Sequence, residues 1–281
     1  MKEIRIVGVP EHFNLPWHLC IENGEFSEVG IELTWQDVPE GTGKMCQLLR
    51  EKKTDLAVIL TEGIIKDIAD GNDSTIVQQY VGSPLLWGIH VAEESNFRSV
   101  EDLKGKRIAI SRFGSGSHLM AIVHAKQMNW DINQLDFVVI NTLEGAIKAL
   151  QNNEADYFMW ERFMTQPIVD QKIFRRIGEC PTPWPSFMIV ANNDFLSNNK
   201  SAINYILDVI NSTTSEFKLI PSIDRTLASK YNLEIEQIQD WLRKTQWSQR
   251  KLKSKDFNLV QDQLIELGLM TSKLTYEKTV L

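Results

Sequence analysis

Arg107-Ile108-Ala109-Ile110-Ser111-Arg112-Phe113-Gly114-Ser115-Gly116-Ser117-His118 is the stretch on which the reading of this chain turns. Residues 107–110 read as a buried strand, and residues 119–128 as a helix with small and apolar residues on one face. The turn between them is glycine-spaced and rich in hydroxyls, so it leaves backbone N–H groups free at the positive end of a helix dipole. That geometry holds anionic or strongly polar groups without any charged side chain. The turn lacks the Gly-Lys-Ser/Thr ending of a phosphate-binding P-loop and the third glycine of a dinucleotide fingerprint. It points to a small ligand other than a nucleotide. Taken alone, it serves equally well as an N-cap and tight turn.

The same alternation of short apolar runs and helical patterns extends outward in both directions, the sign of a parallel α/β sheet. In the first half, strands are expected at 4–9, 31–35, 56–60 and 76–80, with helices at 17–25, 44–52 and 64–69. The second half repeats the plan, with strands at 107–110, 137–140, 156–160 and 174–177 and helices at 119–128, 143–151 and 163–171. Leu49-Arg50-Glu51-Lys52-Lys53-Thr54-Asp55-Leu56 parallels Leu150-Gln151-Asn152-Asn153-Glu154-Ala155-Asp156-Tyr157. In each phrase a helix ends in a polar turn and an aspartate opens the next strand.

Two segments connect the halves. Gly82-Ser83-Pro84 leads into the apolar run 85–91, and Cys180-Pro181-Thr182-Pro183-Trp184-Pro185 leads into 187–191. The three prolines fix φ and resist helix, so the second crossing is expected to be extended and stiff. Helical patterns follow at 201–219, 223–230, 235–244 and 257–267, with Gly268 as a stop signal. The expected domains are therefore 1–88 with 186–281, and 89–185.

At 281 residues and 43% hydrophobic content, the chain is long enough for two cores. A net charge of -7 argues against nucleic acid and against anionic membrane surfaces as partners. No apolar stretch is long enough to span a bilayer. Residues 4–9 follow Met1-Lys2-Glu3 with no apolar leader region, so a cytoplasmic location is expected, and a periplasmic one only if an export signal precedes the sequence. Cys20, Cys46 and Cys180 are an odd number at unrelated spacings, which suits reduced thiols.

Two α/β halves, two crossings and a helical return resemble the type II periplasmic-binding-protein fold. The chain is similar to the branch holding alkanesulfonate- and nitrate-type solute-binding proteins of ABC transporters and the thiamine-pyrimidine synthases. The resemblance rests on Gly24-Glu25-Phe26 before Gly30-Ile31-Glu32-Leu33, on Asp55-Leu56-Ala57-Val58, and most of all on Ser99-Val100-Glu101-Asp102-Leu103-Lys104-Gly105-Lys106-Arg107-Ile108-Ala109. It implies two lobes that close about a hinge on one small ligand.

Loops after strands in open α/β sheets face the ligand crevice. Here they supply Glu11, His12, Phe13 and Asn14; Gly41, Thr42 and Gly43; Thr61 and Glu62; Ser111, Phe113, Ser115, Gly116 and Ser117; and Trp160 with Glu161. Trp184, rigidly presented between prolines, joins them as a stacking surface. Glu62 and Glu161 occupy matching places in the two halves, which favours a ligand with amine or ring N–H donors. Each glutamate also suits a helix start, where it complements the dipole.

His12/His18 and His118/His124 are each six apart, which sends the rings to different helix faces. Cys-x-x-Cys and Gly-x-Ser-x-Gly patterns are absent. The thiamine-pyrimidine synthases use a lysine and a histidine on and after the third strand and a cysteine run near the return crossing. Residues 56–65 contain neither, and of the cysteines only Cys180 remains. The sequence is thus read as a binder with no cofactor or metal. It would act as a monomer, with a small polar or heteroaromatic ligand and an ABC permease or an intracellular protein as partner. The alternatives are an enzyme of thiamine-pyrimidine-like or menaquinone-like biosynthesis on the same fold, and a ligand-sensing domain.

Overall fold

The computed structural model describes residues 1–281. The chain opens β1 (Lys2–Gly8), α1 (Leu15–Glu22), α2 (Glu25–Glu28), β2 (Ile31–Asp37), α3 (Thr42–Arg50) and β3 (Leu56–Leu60). It continues α4 (Thr61–Ala69), β4 (Ser74–Val81), β5 (Leu86–Ala92), β6 (Arg107–Ile110), α5 (Gly116–Gln127) and β7 (Asp136–Val139). Then come α6 (Leu143–Gln151), β8 (Tyr157–Glu161), α7 (Gln166–Asp170), β9 (Phe174–Pro181) and β10 (Phe187–Asn192). The helical return comprises α8 (Asn193–Asn198), α9 (Lys200–Glu216), α10 (Ile223–Tyr231), α11 (Ile235–Lys244), α12 (Ser254–Glu266) and α13 (Tyr276–Thr279).

These elements form two compact units, Met1–Pro84 with Trp184–Leu281, and Leu85–Pro183. The divisions fall a few residues before those expected at 88 and 185. The backbone explains the shift: Leu85 and Thr182 bond one another within the second unit, whereas Trp184 bonds Glu62 within the first.

Unit 1 holds a sheet of order β2-β1-β3-β10-β4, and unit 2 one of order β7-β6-β8-β5-β9. The strands β1, β2 and β3 run parallel, as do β6, β7 and β8. Each sheet also takes in antiparallel strands. Strand β10 lies antiparallel between β3 and β4, and β5 lies antiparallel between β8 and β9. The two apolar runs read as crossings are thus inner strands, buried on both faces, which is why they read as unbroken hydrophobic stretches.

Local sequence sets several boundaries. The single helix expected at 17–25 is two, because the chain turns at Asn23 and at Gly24, whose φ is +75°. The helix expected at 163–171 shortens to α7, which begins beside Pro167 once Thr165 has spent its hydroxyl on backbone carbonyls and on His90. Gly268, with φ of +66°, ends α12 as expected.

The repeated phrase becomes the same brace in each unit. Asp55 accepts from the Arg5 backbone N–H at 2.8 Å and from its guanidinium at 2.8 and 3.1 Å. Asp156 does the same for Arg107, at 2.8 Å from the backbone and 2.9 and 3.1 Å from the guanidinium. Each brace ties an arginine on one parallel strand to the aspartate that opens its neighbour.

Candidate functional site

In unit 1, β1 runs into a short helical turn carrying Glu11 to Asn14. Asn14 Nδ2 donates to the Val9 carbonyl at 2.8 Å, and the Phe13 carbonyl accepts from Tyr80 Oη at 2.8 Å and Trp247 Nε1 at 3.2 Å. The rings of His12 and Phe13 are buried, not presented at an open surface. His12 lies 4.4 Å from Trp241 and 5.6 Å from Tyr231, and Phe13 lies 5.1 Å from Phe187 and 5.2 Å from Trp241. The helical return brings Trp241 and Tyr231, and this could not be read from residues 11–14 themselves. Burial pushes the His12 pKa down to about 3 and the neighbouring Glu11 carboxyl up to about 7.

Two helix starts meet within the same unit. Gly41, with φ of +78°, turns the chain into α3, and no side chain caps that helix. A Cβ placed on Gly63 would stand 2.2 Å from the methyl of Thr42, so the Gly41-Thr42-Gly43 and Thr61-Glu62-Gly63 turns pack directly together. Thr61 is locked to the return crossing: its N–H donates to the Ser186 carbonyl at 3.1 Å and its hydroxyl to that of Pro185. Glu62 Oε2 accepts from Trp184 Nε1 at 2.9 Å. Its other oxygen, Oε1, is buried with no hydrogen-bond partner. Burial outweighs the bonds from its own backbone N–H and from Trp184, so the carboxyl is held above its ordinary value. Trp184 is therefore placed chiefly as a buried donor to Glu62.

In unit 2 the serine-rich turn folds onto itself. Ser115 caps α5, accepting from the His118 N–H at 3.4 Å, and donates to the Arg112 carbonyl at 2.6 Å. Ser117 Oγ accepts from the Ser111 N–H at 2.9 Å and lies 3.3 and 3.1 Å from the hydroxyls of Ser111 and Ser115. These three buried hydroxyls hold the turn's shape. Gly116 brings the backbone against a tryptophan: an added Cβ would stand 3.0 Å from the Trp87 ring. Phe113 is 63% exposed and packs edge-on to His118, at 5.3 Å, and to Phe137, at 5.9 Å.

Trp87 is the residue that sequence reasoning missed. It lies on β5 opposite Glu161 on β8, packs edge-on to Trp160 at 6.1 Å, and buries an indole N–H without a hydrogen-bond partner. Trp160 in turn stacks on Phe158 at 5.5 Å. Nothing in the run 85–91 distinguishes Trp87 from a core aromatic; only the register with β8 brings it to Glu161. Glu161 is buried and accepts from the Met164 N–H at 2.7 Å through Oε2.

Unit 1 thus gathers 11–14, 41–43, 61–62 and Trp184, and unit 2 gathers 111–117, Trp87, Trp160 and Glu161. No group of His, Cys, Asp and Glu in the structure forms a metal-ligand cluster. No helix is long and apolar enough to cross a membrane.

Residues 87–180 match the model of a family described as Ca3427-like PBP. No curated protein matches the chain. Among solved structures, the Candida albicans CA3427 gene product superposes with a TM-score of 0.88 at 24% identity, covering 100% of this chain and 96% of its own. It is described as defining a new family exhibiting the generic periplasmic binding protein fold. The periplasmic aliphatic sulphonate binding protein SsuA of Escherichia coli gives 0.77 at 19% identity, with 98% and 95% coverage. The alkanesulfonate-binding SsuA of Xanthomonas axonopodis pv. citri, bound to MOPS, gives 0.80 at 16% identity, with 100% and 98% coverage. The chain has the periplasmic-binding-protein fold, and the alkanesulfonate-type branch indicated by its sequence is among its structural neighbours.

Proposed function

We propose that the protein is a solute-binding protein that captures a small polar or heteroaromatic molecule by closing its two units on it. One observation carries the reading. The buried polar atoms with no hydrogen-bond partner include the acceptor Glu62 Oε1 in unit 1 and the donor Trp87 Nε1 in unit 2, each near a loop that follows a strand. Buried polar groups left without partners cost about 1–3 kcal/mol each. A ligand group that supplies the missing partner relieves that cost at each atom. The complementary molecule has an N–H donor for Glu62, an acceptor for Trp87 and the α5 N-terminus, and a flat body for Trp160 and Phe113.

Neighbouring structures are mainly binding proteins, which supports binding over catalysis. Three buried, unpaired cysteines support work in a reducing compartment. Burial pushes the Cys20 and Cys180 thiols up to about 12, keeping them unreactive. Under this reading the partner is an ABC permease or an intracellular protein that takes the ligand on.

A thermal-shift screen of pyrimidines, sulfonates, amino acids and carboxylates supplies the test. A true ligand at a hundred times its Kd adds about 2.7 kcal/mol of stability. It should also contract the protein in solution scattering and be recovered unchanged after hours of incubation. Glu62→Gln and Trp87→Phe should each weaken it about tenfold or more, since a hydrogen bond to a charged or buried group contributes roughly 1.5–3 kcal/mol. A ligand that binds both variants normally, or that is chemically converted, would overturn the reading.

A further inference from the structure

A second concavity lies wholly within unit 1, lined in part by Pro185 and by Trp247, whose indole bonds the Phe13 carbonyl. Strand β4 is an edge strand, and the chain covers it with the segment 246–250. Ser248 N–H donates to the Tyr80 carbonyl at 2.8 Å, Gly82 N–H to that of Gln246 at 2.7 Å, and Gln79 N–H to that of Arg250 at 2.9 Å. Beyond this strap Leu252 is fully buried, while Lys251 and Lys253 are exposed. In extended chain, residues two apart share a face, so anchoring Leu252 inward turns both lysines outward together. With Arg250 they line a cavity of about 330 Å³, alongside Gln79 and Gln246.

None of the three cationic side chains has an ion pair or hydrogen bond. Most other basic groups of unit 1 behave differently: Arg5, Arg50, Lys52, Lys66 and Lys244 each sit on a carboxylate. Lys253 also occupies the N-cap of the thirteen-residue helix α12, with no side chain capping it, where a positive charge opposes the helix dipole. Asp256, in the first turn, is the one acidic side chain lining the cavity. Three unpaired cations held around one cavity by a pinned backbone repel one another, and a bound anion relieves that repulsion.

We propose that this cavity binds a compact polyanion of the diphosphate class, independent of the solute held by the loops. Its walls fit that chemistry: cations at three successive exposed positions for the charge, and two glutamine amides for the oxygens. A volume near 330 Å³ suits a small molecule rather than a nucleic acid or a bilayer.

Inorganic pyrophosphate is the probe, titrated calorimetrically into the full chain at low salt with ³¹P line broadening as a second readout. The expected result is saturable one-to-one binding that weakens as salt rises. The triple variant R250Q/K251Q/K253Q should bind at least tenfold more weakly while keeping the wild-type melting temperature, because all three side chains are exposed. Lys172→Gln, a charge removed from unit 2, should bind like the wild type. Absence of saturable binding, equal weakening by Lys172→Gln, or a well-folded triple variant with unchanged affinity would each overturn the proposal.

Discussion

The two units share a scaffold and part company at their loops. In both, an arginine on a parallel strand is held by the aspartate that opens the neighbouring strand. Unit 1 then presents glycines, a buried carboxylate and aromatics covered by the helical return. Unit 2 also buries a carboxylate, Glu161, and adds a closed net of three serine hydroxyls and a buried indole N–H. The scaffold is set by backbone geometry, which two different sequences satisfy alike. The loops are free of that constraint, so they differ in sequence and in the polar groups they bury.

The largest effect expected separates the two units by how rigid their close approaches are. A Cβ on Gly145 in α6 would stand 2.0 Å from the Ile140 carbonyl oxygen, whereas one on Gly63 would meet the Thr42 methyl at 2.2 Å. A carbonyl in the chain cannot rotate away, but a threonine side chain can. Gly145→Ala should therefore cost about 3 kcal/mol or more and Gly63→Ala about 1–2 kcal/mol, as overpacking usually does. Chemical denaturation of the two variants checks this, and an equal cost would show that Thr42 is as tightly held as backbone.

The braces should respond alike. Asp55→Ala and Asp156→Ala each strand a backbone N–H on a neighbouring strand, at about 1–3 kcal/mol. Burial pushes the Asp156 carboxyl up, but the bonds from Arg107 and its charge outweigh that and hold it below the usual range. A carboxyl depressed on folding stabilises above its unfolded pKa, and that stability is lost as pH falls through the folded value. The wild type should thus weaken in acid below pH 4, and Asp156→Ala should lack part of that slope. Losses differing by more than twofold between the two variants would break the equivalence of the braces.

The smallest effect on stability is expected at Glu62. Its carboxyl is raised on folding, so the unfolded chain gives up the proton first and stability falls as pH rises above about 4.5. Glu62→Gln removes that fall. At neutral pH it should be as stable as the wild type or slightly more so. A melting-temperature series from pH 4 to 8 compares the slopes, and a variant clearly less stable at pH 7 would make Glu62 a structural residue.

Much of this was legible in the residues. The paired phrases ending at Asp55 and Asp156, the Gly24 and Gly268 turns and the capping role of Ser115 are local, decided within a few residues by backbone preference and hydrogen-bond chemistry. Strand and helix positions followed from hydrophobic period for the same reason.

What the sequence by itself determined is therefore the repeated strand–helix plan, the two apolar connecting runs and the position of the loops. Only the tertiary structure decided that those runs enter the sheets antiparallel, that His12 and Phe13 lie under Trp241, that Trp184 donates to Glu62, and that Trp87 leaves its N–H unpartnered. The partners in these contacts are separated by 70 to more than 200 residues in the chain, apart from the unpartnered indole. No local propensity encodes such pairs. They are selected by how two sheets and a helical return bury their apolar faces at once, and each polar atom left over is visible only when that burial is complete.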